Sequence, residues 1–154
     1  MRGSAEAMGG RAQIVVLEVA GDRTRMAEAW AIRRRVFIEE QGVPEEIELD
    51  EDDARAIHAL ALQDGRPVGC GRMVAHDDYV KIGRMAVMRE QRGRGIGRRL
   101  LLFLMERARN AGFRRAVLDA QLHAEEFYCK QGFVPVGEMF EEAGIMHRRM
   151  ERSI

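Results

Sequence analysis

The chain has 154 residues, 46% of them apolar and 32% charged, with 25 Lys and Arg against 25 Asp and Glu. Its length suits one domain with a full core, and its composition excludes a disordered or fibrous chain. A formal net charge of zero removes any bulk electrostatic case for nucleic acid or an anionic membrane surface.

Charge is segregated locally instead: residues 39–53 are acidic and residues 89–99 basic. No run approaches the roughly 20 apolar residues of a membrane span. The opening MRGSAEAMGG lacks the apolar stretch of a secretory leader. Residues 1–12 read as a flexible tail and residues 13–154 as a single domain. Cys70 and Cys129 have no metal-ligand spacing, so they read as reduced thiols of a cytoplasmic protein, and no metal site is expected.

Ile14 to Val19 is a β-branched run and reads as a strand. Asp22 can cap a helix whose apolar face is Met26, Trp30 and Phe37, fading near Gly42 with Pro44 beyond it. Glu45 to Asp53 has little apolar periodicity and reads as an acidic loop. Ile57–Gln63 and Val68–Ala75 read as strands joined through Asp64-Gly65, a strong hairpin signal. A turn at His76-Asp77-Asp78 leads to a third strand, Tyr79 to Met88, so the middle of the chain is an antiparallel meander.

Ile96, Leu100, Phe103, Leu104, Ala108 and Ala111 share one face of an amphipathic helix that Gly112 ends. Ala116–Gln121 is a short buried strand, and Ala124–Gln131 a shorter helix closed by Gly132. Val134–Val136 and Ile145–Met150 read as final strands, the latter with the charge alternation of a sheet edge. The strand–helix–strand unit from 79 to 121 should be a parallel, right-handed crossover. The fold class is therefore α/β (α+β): a mixed, mostly antiparallel sheet of six to seven strands with helices on its faces.

Between the meander and the long helix lies REQRGRGIGRRL, residues 89–100, with three glycines and five arginines. The first N–H groups of a helix have no internal partner and sit at the positive end of its dipole, a combination that attracts phosphate. Glycine lets a ligand approach the backbone, and arginine adds bidentate contacts to phosphate oxygens. Gly93, Gly95 and Gly97 alternate with Arg92, Arg94 and Ile96, which predicts a pyrophosphate-sized anion held between Gln91 and Arg98. A turn with solvated arginines is the competing reading. A dinucleotide fingerprint needs G-x-G-x-x-G after parallel βα units, and here G-x-G-x-G follows a meander. RNA binding would use the same arginines, but no aromatic residues interleave with them to stack on bases.

Arg92-x-x-Gly95-x-Gly97 resembles the R/Q-x-x-G-x-G/A signature of the GNAT N-acetyltransferase superfamily. The strand MAVMRE before it, and Ala124-Glu125-Glu126-Phe127-Tyr128-Cys129-Lys130-Gln131-Gly132-Phe133 after it, resemble the segments that flank that signature. The order of elements matches over nearly all of residues 14–152. Arg35-Val36-Phe37-Ile38-Glu39-Glu40-Gln41, Asp50 and Glu142-Ala143-Gly144-Ile145-Met146-His147 resemble the ElaA-like branch.

The resemblance implies acetyl-CoA as cofactor and a GNAT-like acyltransferase fold. Backbone N–H groups of Arg92, Gly93, Arg94, Gly95, Ile96, Gly97 and Arg98 would hold the pyrophosphate, with Gln91 at the edge of the cofactor site. Met85, Ala86 and Val87 would pair with the pantetheine arm where two strands splay, and Gln121 stands where many relatives carry Asn. Tyr128 matches the family's general acid, and the Val87 N–H its carbonyl donor. Its competing role for Tyr128 is a core aromatic.

Acetyl transfer to an amine also needs a base. Glu39, Glu40, His58 and His147 are the candidates, with Glu40, His58, Arg72 and His147 as substrate-facing residues. His58 fits a structural role equally well. Arg72, inside a central strand, needs either an acid of the protein or one of the substrate. The acidic run from Glu45 to Asp53 is either a solvated loop or a lure for a cationic amine. Cys129 is expected to be dispensable. The expected activity is direct acetyl transfer to a primary amine of a small molecule or peptide, without nucleic acid or membrane as partner and with C-terminal edge strands that allow a homodimer. The rivals are a non-catalytic CoA sensor and an RNA-binding module.

Overall fold

A computed structural model describes residues 13–154; the tail expected over residues 1–12 lies outside the described residues. Strand β1 (Ile14–Glu18) leads to helix α1 (Arg23–Arg33), which runs on as a π-helical turn, Arg34–Glu40. A one-turn helix α2 (Glu45–Glu48) and a 3-10 turn (Glu51–Ala54) precede the meander β2 (Ile57–Gln63), β3 (Arg66–Ala75) and β4 (Val80–Val87). Then come α3 (Ile96–Asn110), β5 (Arg115–Gln121), α4 (Glu125–Lys130), β6 (Val134–Glu142) and β7 (Ile145–Ser153). The seven strands form one sheet in the order β1-β2-β3-β4-β5-β7-β6, antiparallel except for the β4–β5 pair. Both the mixed sheet and the parallel crossover are as the sequence predicts.

Alternation along β2 splits the core. Ala59 and Ala61 face α3, while Leu60 and Leu62 face α1 and the π-helical turn. The α3 face is a dense aliphatic layer with Leu100, Leu101, Leu104 and Met105 fully buried. Small residues on β3 let that helix sit close: a Cβ at Gly71 would meet Met85 Sδ at 2.5 Å and Leu104 at 3.3 Å.

Three expectations are corrected. Trp30 is exposed at 45%, and the buried face of α1 is Ala29, Ile32 and Arg33 instead. An arginine takes a core-facing slot because Glu48 and Asp53 neutralise it. The acidic stretch is no loop: Pro44 opens α2, and Asp50 caps the next turn by accepting from the Asp52 N–H. Of the two C-terminal strands the sheet edge is β6, which is exposed along its whole length, whereas β7 lies between β5 and β6. The alternating charges of β7 reach neighbouring elements, Arg149 to Asp119 on β5 at 3.1 Å and Arg152 to the Gln131 carbonyl at 2.8 Å.

Candidate active site

β4 and β5 pair only at Val80–Ala116, Lys81–Val117 and Ile82–Leu118, then part. The gap opens into a cleft of about 830 Å³, walled by the splayed strands, the end of the π-helical turn and the β6–β7 hairpin. Met85, Ala86, Val87, Glu40, Tyr128 and His147 all line it.

The alternation of an antiparallel ladder fixes how Val87 faces. Met88 N–H donates to Val68 O on β3 at 2.9 Å, so Val87 turns its N–H and C=O to the opposite edge, the one β5 has left. There Val87 O accepts from Arg92 Nε at 2.9 Å, and the N–H opens on the cleft.

The glycine loop adjoins this edge. Gly93 and Gly95 adopt φ of +81° and +82°, and a Cβ on either would meet nothing within 4 Å. Gly95 caps α3 without any side-chain hydrogen bond, and the first helical bond runs from Arg99 N to Gly95 O. Among the described residues, the N–H groups of Gly93 to Arg98 therefore have no acceptor, whereas those of Gln91 and Arg92, expected at the same site, already donate to Met88 O and Arg89 O in the turn before the loop. Ile96 contributes only backbone, since its side chain is 1% exposed in the core. Gly97 lies against the cleft wall, its would-be Cβ 3.8 Å from Val87 and 3.6 Å from Phe127.

Tyr128 is buried on α4, edge-on to Phe127 and Phe133. Burial pushes its hydroxyl up to about 12. With that value the hydroxyl keeps its proton at neutral pH; it makes no hydrogen bond to any described residue, and Tyr128 lines the cleft. His147 is Cα-paired with Gln121 and stacks on Phe140. Its Nδ1 lies 2.7 Å from Ile145 O. A carbonyl only accepts, so Nδ1 is the donor in this contact and Nε2 is the ring nitrogen without a partner among the described residues.

The other candidates are already engaged. Arg92 grips Glu40 with two bonds of 2.7 and 2.8 Å, and Arg89 adds a third contact at 3.4 Å. Arg92 above all holds the Glu40 carboxyl below the usual range, which makes it a weak base. His58 does not line the cleft, and its Nε2 pairs with Asp53 O at 3.0 Å. Arg72 lines the cleft, but its guanidinium is taken by Asp50 and Asp53, at 2.7 Å each. The acid it needs is thus one of the protein's own. Gln121 exchanges a reciprocal amide pair with Gln41, at 2.8 and 3.2 Å. Cys129 is exposed and does not line the cleft. Among the described residues no cluster of His, Cys, Asp or Glu could hold a metal.

Sequence reasoning missed the π-helical turn, Gln41, the buried Glu48 and the left-handed Arg84. Only Gly42 and Pro44, which end the first helix, hinted that residues 40 and 41 stop at a special place.

A family model for an acetyltransferase (GNAT) domain matches residues 18–154. The chain belongs to the GNAT acetyltransferase family. The acetyltransferase is 34% identical to the uncharacterized N-acetyltransferase YjcF of Bacillus subtilis, over 86% of this chain and 95% of that one. It is 33% identical to the protein ElaA of Escherichia coli, over 80% and 84% of the two chains. The crystal structure of ElaA superposes with a TM-score of 0.80, over 91% of this chain and 99% of that one. An acyl-CoA N-acyltransferase from Pseudomonas aeruginosa gives 0.81 at 27% identity, over 91% and 99%. The ElaA-like branch fits both comparisons. The acetyltransferase is an acyl-CoA-dependent enzyme whose acetyl donor is acetyl-CoA, and the open amides of the glycine loop suit such an anion. Among the described residues, no helix is long and apolar enough to cross a membrane.

Proposed function

We propose that residues 13–154 form one cytoplasmic acetyltransferase domain that acetylates a primary amine of a small molecule or peptide by direct attack. One observation carries this reading: six unpartnered amides at the head of α3 adjoin a cleft that holds an unbonded, protonated Tyr128 hydroxyl. The amides from Gly93 to Arg98 hold a pyrophosphate, with Gln91 and Arg92 shaping the loop, and Met85 to Val87 offer a strand edge to the pantetheine arm. Gln121 and Gln41 close the far side of the gap. Acetyl-CoA supplies an activated thioester.

The roles of the protein's own groups follow from their states. Val87 N–H is the donor aimed at carbonyl charge. His147 Nε2 takes the proton of the incoming ammonium, and Tyr128 holds the proton that the departing thiolate needs. Glu40 is a support for Arg92 rather than the base. The pairing of Arg89 and Arg92 with Glu40 weighs against an RNA-binding module that would need both guanidinium groups. The exposed edge of β6 supports a homodimer.

Calorimetry with CoA, followed by thiol release from acetyl-CoA across a panel of amines, tests the reading. Binding with acceptor-dependent thiol release is the expected result. Binding with no release from any amine would make the chain a CoA sensor. His147→Gln should lower kcat by about a hundredfold, and Glu40→Gln by much less; the reverse order would return the base role to Glu40.

A further inference from the structure

Strand β4 carries an irregularity that decides which amides face the cleft. Gly83 pairs with Arg72 and Ala86 with Cys70, so Arg84 and Met85 together oppose Gly71 alone. This is a β-bulge, and its extra residue reverses the parity of the strand beyond it. In a regular continuation, Ala86 and Met88 would turn their N–H groups to the cleft, and Val87 would turn its own to β3.

The first bulge residue, Arg84, has φ +51°, a left-handed conformation in which bulges of this kind commonly carry glycine. Arginine gains nothing there from its backbone, but its side chain is engaged through Nε and Nη2. Nε donates to Glu48 O at 3.1 Å, and Nη2 donates to Ile47 O at 3.3 Å and to Asp50 Oδ2 at 3.1 Å. Two of the three acceptors are main-chain carbonyls of the acidic segment 45–54. That segment is fixed in turn from α1, where Arg33 Nη2 donates to the same Glu48 carbonyl at 3.0 Å and Arg33 Nε pairs with the Glu48 carboxylate at 2.6 Å. Arg72 on β3 holds its other end through Asp50 and Asp53. The bulge is therefore tied to a rigid frame outside the sheet.

We propose that Arg84 is a positioning residue for acetyl transfer: its clamp on the Ile47 and Glu48 carbonyls holds the β4 bulge so that Val87, and neither neighbour, presents its N–H to the cleft. This rests on the reading of Val87 as the carbonyl donor. The clamp acts three residues from the amide it aims, and it makes the acidic segment part of the catalytic architecture chiefly through its main-chain carbonyls.

Two variants of the full chain separate positioning from folding. Arg84→Gly relieves the left-handed strain and deletes the clamp; Arg84→Lys keeps the charge and one donor. The readouts are steady-state thiol release and the Val87 amide signal in nitrogen–proton correlation spectra, with and without CoA. Arg84→Gly is expected to melt cooperatively near the wild-type temperature. Its kcat should fall by about tenfold to a hundredfold while KM for acetyl-CoA moves less than about threefold. The Val87 signal should shift or broaden while those of Gly93 to Gly97 stay in place. Arg84→Lys should recover part of the loss in both readouts. Native kcat and an unmoved Val87 signal in Arg84→Gly would overturn the proposal, as would losses that merely track melting temperature. Should Arg84→Gly fail to fold, the same two readouts on Arg84→Lys decide. If the wild-type chain acetylates no amine, the Val87 reading fails by itself, and the clamp still stands or falls on the amide signal.

Discussion

The glycine loop from Arg92 to Arg98 and the acidic segment from Glu45 to Asp53 are the two charge-dense stretches of the chain, and the fold treats them in opposite ways. In the acidic segment, charge is consumed inside the protein. Glu48 and Asp53 bind Arg33, Asp50 and Asp53 bind Arg72, and Arg84 joins Glu48 and Asp50. In the glycine loop, Arg92 is also consumed, its side chain by Glu40 and Val87 O and its N–H by Arg89 O, but the backbone amides from Gly93 to Arg98 are not. A ligand site is therefore marked by hydrogen-bonding capacity left unmet, whatever the formal charge around it. Balanced internal ion pairs mark structure.

That contrast can be broken at its stronger end first. Arg33→Ala leaves Glu48 buried at 2% exposure without its main cation. It should destabilise the chain by about 3–5 kcal/mol in urea unfolding at neutral pH. A change below about 1 kcal/mol would show that the network is not structural.

Next in size is Tyr128→Phe, which removes the proton donor and keeps the ring among Phe127 and Phe133. It should cut kcat by about a hundredfold and leave the melting temperature within a few degrees. Because the wild-type hydroxyl is held up near 12, the alkaline limb of the rate profile should not reflect its loss of a proton at ordinary pH.

Gly97→Asp sharpens the other side. There is room for a Cβ at ordinary contact distance, and an acid in the first turn of a helix stabilises by roughly 0.3–1 kcal/mol. The variant should therefore fold as well as wild type, yet bind CoA at least about tenfold more weakly by calorimetry, since its carboxylate competes for the same amides. Unchanged affinity would remove the loop from the site.

The smallest effect belongs to Asp50, whose carboxyl is drawn down to about 2, chiefly by its hydrogen bond from Arg72. Its folded value lies below the unfolded one of about 3.9. Its stabilisation is therefore present above that pH and lost as pH falls toward 2. Asp50→Asn should be less stable than wild type at pH 6, and the two should converge in acid unfolding near pH 2. A gap that persists there would point to packing rather than charge.

Much of this was legible in the chain itself. Asp22 announced the cap it provides, Asp64-Gly65 the first hairpin and Gly112 the end of α3. These are local signals, and local geometry honours them because each is set by one or two residues' backbone preferences. The glycine loop at Gly93 to Gly97 was legible for the same reason, whereas Tyr128 was singled out by the resemblance of its segment to the family rather than by a local rule. The fate of Glu40, Arg72 and Gln121 was not legible, because each meets a partner far along the chain: Arg92 lies 52 residues from Glu40, Asp50 lies 22 from Arg72, and Gln41 lies 80 from Gln121. Edge and interior strands were exchanged for a similar reason, as the charges of β7 are absorbed by β5 and by the segment after α4, which no window along β7 contains.

The sequence by itself determined the order of strands and helices, the glycine-exposed amides at the head of α3 and the acetyltransferase signature around them. These depend on periodicity and turn chemistry, which act over a few residues. Tertiary structure alone decided which charges are spent, which of the two candidate histidines lines the cleft and, through a bulge clamped from outside the sheet, which amide looks into it. Those outcomes depend on which distant groups are brought within about 3 Å of each other, and hydrogen bonds and ion pairs are fixed only at that range.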